Sequence, residues 1–166
     1  AGLVALALGF LLQVLDVLPV IKGLLLLLAG GIIAVRILRW QPWLYRSRPD
    51  ILFLFAGYCG LALGVFLLGL REFVPVAQLL ATHAVTVAAL GVLMVTIMAR
   101  VTVVKLYKDA NALKSSHVAS GLLVLAAIAR LLAPLLPAAY MPLLHSAMLC
   151  WSLGFSVLLS GLWRCR

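Results

Sequence analysis

Acidic residues are scarce in this sequence of 166 residues, which contains four of them against thirteen lysines and arginines. The four are Asp16, Asp50, Glu72 and Asp109, and they fall in different segments, so no paired carboxylates are available for general acid–base catalysis. The nucleophile motif GxSxG, glycine-rich phosphate loops and the zinc motif HExxH are absent as well. These absences argue against hydrolase or kinase chemistry of the soluble type.

Cysteine is also rare, with Cys59, Cys150 and Cys165 odd in number and without CxxC spacing. Neither a disulfide framework nor a zinc site is therefore indicated. We interpret the cysteines as small buried hydrophobic residues.

Apolar residues dominate instead, at 66% of the chain with only 10% charged and a mean hydropathy of +1.25. The apolar runs are long and continuous, which favours helices over a barrel. We predict an all-α polytopic transmembrane bundle in a lipid bilayer, forming a single domain over 1–166. Its start at Ala1 rather than a methionine suggests a processed chain or a piece of a longer one. The six predicted spans are 1–18, 20–39, 51–70, 75–103, 118–136 and 140–163, with one long polar connection at 105–117.

The thirteen cations stand singly at the ends of apolar runs, which argues against nucleic acid and indicates topology. With six spans, only Lys22, Arg71 and Arg130 fall on one side and the other ten share the opposite side. The excess of basic residues in short loops predicts that both termini are cytoplasmic.

Small residues recur four apart in the third span at Ala56, Gly60 and Gly64, a spacing that predicts close helix packing. The fourth span has a similar series that includes Ala84 and Ala88. Asp16 is the one acid inside a predicted span, and it is either a functional residue or the partner of Lys22.

Two histidines lie at similar predicted depths, because His83 is about eight residues into the fourth span and His145 about five into the sixth. At ~1.5 Å per residue their depths differ by only ~5 Å, as a bis-histidine haem or a shared metal site requires. The alternative is that both are packing residues.

His117, at the start of the fifth span, is either a solvated loop residue or a metal ligand. Met94 and Met98, four apart, are either space-filling or thioether ligands for Cu(I).

Several ordered motifs resemble the NnrS family over roughly residues 30–165. They are RWQPW at 39–43, YCGLALG at 58–64, ATHAVTVAALG at 81–91, TIMARVT at 96–102 and ARLLAP at 129–134. The resemblance implies a haem- and copper-containing protein of the bacterial inner membrane, associated with denitrification and the response to nitric oxide or nitrosative stress. It also implies that the chain is the C-terminal half of such a protein, and that His83 is a cofactor-binding residue.

One stretch departs from the family pattern, which continues after Arg100-Val101-Thr102 with Gly-His-Thr-Gly-Arg. Here no Gly, His or Arg appears before His117, so a cofactor contact on that side is lost unless His117 replaces it. The alternative function is a metal-free membrane scaffold or transporter subunit, working with other membrane subunits or a second copy.

Overall fold

The computed structural model describes residues 19–74, 77–107 and 114–164, together with the single positions Ala7 and Leu11. All regular structure in these ranges is helical. The elements are α1 (Pro19–Leu38), α2 (Pro49–Leu70), α3 (Ala77–His83), a π-helical segment (Ala84–Gly91), α4 (Val92–Tyr107), α5 (Lys114–Leu132) and α6 (Tyr140–Arg164), with 3₁₀ turns at Pro42–Tyr45, Ala133–Leu135 and Pro137–Ala139.

Five stretches in these ranges are long and apolar enough to cross a membrane. Helices α1, α2, α5 and α6 account for four, and α3, the π segment and α4 form the fifth as one continuous unit, Gln78–Thr102. The all-α transmembrane bundle predicted from the sequence is confirmed. The first predicted span, 1–18, lies outside the described ranges apart from two positions.

Prolines mark several of the helix boundaries. Pro49 occupies the first turn of α2, where its missing N–H has no helical partner to lose, and 3₁₀ turns containing Pro134 and Pro137 separate α5 from α6. Several boundaries differ from the prediction by up to four residues, and among them α5 begins at Lys114 rather than at 118. His117 therefore belongs to the first turn of a helix and not to a loop.

The interior is built from small residues, whereas large apolar side chains cover the outside. Twelve of the nineteen buried hydrophobic residues in the described ranges are alanines, and leucines such as Leu28, Leu149 and Leu159 are more than 60% exposed. Lipid tails solvate leucine as well as a protein interior does, so the helices associate through close backbone contact.

The glycines of α2 make this contact. A Cβ built on Gly60 would lie 2.7 Å from the carbonyl carbon of Ala88, and one on Gly64 would lie 2.6 Å from a methyl of Val85, both in the π segment. The predicted packing role of Gly60 and Gly64 is thereby confirmed. On the other face of α2, a Cβ on Gly30 of α1 would lie 2.8 Å from the backbone nitrogen of Phe66.

Candidate functional sites

His83 is the last residue of α3, which packs on α2 and also contacts α5. Its side chain is half-buried, and Arg130 of α5 is near enough to act on it electrostatically. One turn further along the same face, Val87 lines a groove of about 270 Å³ that also includes Arg130. The other side of the groove is formed by α6, where the ring of Trp151 packs against Gly91. His83 therefore lies one turn before a residue of this mostly apolar groove and near its Arg130, although His83 itself is not one of the lining residues.

His145 does not face this groove. The buried residues of α6 include Ala147, Gly154 and Leu158, which fall on one stripe at 100° per residue. His145 is about 160° around the helix from Ala147 by the same geometry, and it is exposed. The structure places it on the outer surface of the bundle, and its pairing with His83 stays a prediction.

The predicted thioether ligands also face outward, since Met94 is 56% and Met98 45% exposed on α4. Within residues 19–74, 77–107 and 114–164, no group of three or more His, Cys, Asp or Glu side chains could hold a metal ion. Neither methionine has such a group to complete a copper site in the described part of the chain.

The interpretation of the cysteines as buried is wrong for Cys59, which is exposed on α2. It lines an apolar groove of about 420 Å³ between α1 and α2. Cys150 is half-buried, and Cys165 lies outside the described residues. The α2 stripe of Gly60 and Gly64 faces the π segment, which leaves Cys59 on a different side of the helix.

An ion pair joins α2 to α4 at the end of the bundle where α2 and α5 begin, here called the basic end. A nitrogen of the Arg100 guanidinium donates to Oδ2 of Asp50 at 2.9 Å, and Nε of Arg48 donates to Oδ1 at 3.3 Å. Asp50 is 4% exposed, so its carboxylate is held by two guanidiniums in a nearly dry position. No sequence pattern predicted the Asp50–Arg100 pair, because fifty residues separate the two positions and only the facing of α2 and α4 brings them together.

His117 lies beside this ion pair. Its ring stacks on Phe53 with centroids 6.5 Å apart, and its Nε2 is buried without a hydrogen-bond partner among the described residues. The interpretation of His117 as a solvated loop histidine is therefore wrong. Its position at the fourth residue of α5 turns the ring towards α2 instead of towards water.

A second charged cluster stands at the opposite end of the bundle. Nζ of Lys22, on α1, lies 3.0 Å from Oε1 of Glu72, and Nε of Arg71 donates to the same oxygen at 3.1 Å. Burial raises the pKa of Glu72, but hydrogen bonds from Lys22 and Arg71, with the charges of both, outweigh burial and lower the pKa overall. Glu72 is a carboxylate partner of Lys22, whereas Asp16 lies outside the described residues.

The helices, their small-residue contacts and the buried polar groups define a polytopic helical membrane protein with polar sites near both ends of the bundle. The NnrS family model, described as NnrS protein, matches residues 1–165. The chain therefore belongs to the NnrS family. The match is wider than the region 30–165 that carried the resemblance, and it is not confined to a C-terminal half. No curated protein and no solved structure matches the chain.

Proposed function

We propose that this protein is a haem-binding member of the NnrS family that acts in the response to nitric oxide or nitrosative stress in a bacterial inner membrane, with both termini cytoplasmic. Family membership over 1–165 supports the role in nitric oxide metabolism. The observation that supports the site is that His83 is half-buried, lies within electrostatic reach of Arg130, and stands one turn before Val87, which lines an apolar groove together with Arg130.

The residues around His83 fit a haem better than a copper ion. A haem iron is commonly held by a single histidine, with apolar walls against the ring, and the Arg130 guanidinium suits a propionate carboxylate. Copper requires several nitrogen or sulfur ligands converging on one point, and the described residues offer no such group. When bound, the haem would supply an iron centre able to take up a diatomic gas.

The chain's own residues have separate tasks in this proposal. His83 would hold the haem through an imidazole nitrogen, Arg130 would balance a carboxylate charge of the haem, and Val87 with Trp151 would help to exclude water. His145 is exposed on α6, so it would reach the haem only from a neighbouring copy.

The visible absorption spectrum and the iron and copper content of detergent-purified protein test the proposal. We expect a Soret band that shifts on addition of nitric oxide, and we expect His83→Ala to abolish the band while circular dichroism shows an intact bundle. His145→Ala is the matched substitution at an exposed histidine, and it should weaken or shift the band without abolishing it. A Soret band of full intensity in His83→Ala would refute the assignment. Wild-type protein without iron or copper would favour the metal-free scaffold or transporter subunit.

A further inference from the structure

A small, partly open cavity lies at the basic end, where α2, α4 and α5 contact one another. Its volume is about 10 Å³, which is the space that a single water molecule needs. Most of the side chains around it are polar. The lining residues are Asp50, Phe53, Thr96, Ala99, Arg100, Ser116, His117 and Ser120.

One lining atom lacks a hydrogen bond although it is buried, namely Nε2 of His117. An imidazole nitrogen always has hydrogen-bonding capacity, since it accepts in one neutral tautomer and donates in the other. Leaving that capacity unused in a buried position is costly, so buried polar groups in native proteins almost always have a protein or water partner. The described side chains do not supply one, which points to a molecule in the cavity.

The hydroxyl groups beside His117 determine which molecule fits. Thr96 donates its hydroxyl hydrogen to the carbonyl oxygen of Val92 at 2.7 Å, so in its 3.3 Å contact with Ser120 the serine must be the donor. Ser120 Oγ then offers only lone pairs to the cavity. Because Ser120 is three residues after His117 on α5, both side chains lie on the same face.

We propose that this cavity binds one ordered water molecule, which donates hydrogen bonds to Ser120 Oγ and His117 Nε2. A water has two hydrogens and two lone pairs, so it can satisfy both acceptors and still accept from a neighbouring group. A sodium ion of similar size is disfavoured, because Asp50 already faces the guanidiniums of Arg48 and Arg100 and the local charge is positive. The water would link His117 to the Thr96–Ser120 hydroxyl pair between α4 and α5, beside the Asp50–Arg100 ion pair that joins α2 to α4.

This water site is independent of the proposed haem site at His83. His83 belongs to the outer half of its span, whereas Thr96 and Arg100 lie 13 and 17 residues further along the same unit. A His83 variant that loses the Soret band should therefore keep the water site, and a result that refutes one of the two proposals does not refute the other.

Nuclear magnetic resonance on wild-type protein gives the first test. The protein is labelled with nitrogen-15 histidine in lipid nanodiscs, and the His117 signals are identified by their loss in His117→Gln. We expect magnetisation to pass from water to the His117 ring, with an Nε2 chemical shift typical of a hydrogen-bonded nitrogen. Ser120→Ala should reduce this transfer, and Ser156→Ala should not, because the Ser156 hydroxyl is exposed and bonds to Ser152 of its own helix. An Nε2 shift typical of a free nitrogen, with no water transfer, would overturn the proposal.

Melting temperatures give the second test, using His117→Phe, Ser120→Ala and the double variant. Either single change removes the bridge, so the double variant should melt no lower than the less stable single variant. Phenylalanine keeps the stacking on Phe53, and Ser156→Ala is the matched change for Ser120→Ala at an exposed position. Additive losses would show that no shared water links the two residues. If the wild-type protein melts at a higher temperature in sodium chloride than in choline chloride, and Ser120→Ala does not, the cavity binds a cation and the water proposal is wrong.

Discussion

Helix α2 and the π segment touch through Gly60, so we predict that adding a single methyl group at this position forces the two elements apart. A Cβ there would lie 2.7 Å from the carbonyl carbon of Ala88 and 2.8 Å from its Cβ, whereas carbon atoms prefer about 3.5–4.0 Å. The obstacle is backbone and a methyl group, neither of which can rotate away. In Gly60→Ala the helices must therefore move apart by roughly 1 Å, at the ~1–3 kcal/mol that overpacking typically costs.

Helix propensity acts in the opposite direction, since alanine stabilises a helix by up to about 1 kcal/mol relative to glycine. Gly31→Ala in α1 is the matched control, because it carries the same propensity gain and a Cβ there would have no neighbour within 4 Å. The difference between the two variants should be about 1–3 kcal/mol, or roughly 2–12 °C in melting temperature for a chain of this size. Circular dichroism of both variants in one detergent measures it. Equal melting temperatures would show that the α2 contact is looser than the structure indicates.

Three further predictions concern the charged clusters and the topology. Asp50→Asn should lower the free energy of unfolding by about 1–3 kcal/mol, since both guanidiniums lose their carboxylate, whereas Arg48→Gln should cost less because Arg100 still donates to Asp50 at 2.9 Å, a shorter bond than the 3.3 Å one from Arg48. Detergent melting compares these two variants, and equal losses would show that the Arg100 contact adds no stability. Because the pKa of Glu72 is lowered from 4.5, its stabilisation is present above that value and is lost as pH falls through the lowered pKa. The melting temperature should therefore drop on acidification below about 4.5, and it should drop less in Glu72→Gln; an identical pH dependence in both proteins would refute this. A cysteine at exposed Lys114 should react with a membrane-impermeant reagent only from the cytoplasmic side, and labelling from the periplasm alone would reverse the topology.

The number and limits of the described spans could be predicted from the sequence, because they depend on local properties. An apolar run of about 20 residues is long enough to cross a bilayer, and prolines such as Pro49 and Pro137 mark helix boundaries at their own positions. The Gly60 and Gly64 contact was predictable for the same reason, since residues four apart share a face of any helix. His83 was found through its motif and its depth, both of which are read along one segment.

The rotation of each helix about its own axis could not be predicted from the sequence and is known only from the tertiary structure. Large apolar side chains are equally stable against lipid and against protein, so hydrophobicity does not indicate which face of α6 turns inward, and His145 proves to be on the outside. Packing of small residues sets that rotation, through contacts between segments far apart in the chain. The same packing turns His117 inward and joins Asp50 to Arg100 across fifty residues. The depth of a residue in the membrane can be estimated from its own helix, whereas a binding site depends on which faces of several helices point towards one another.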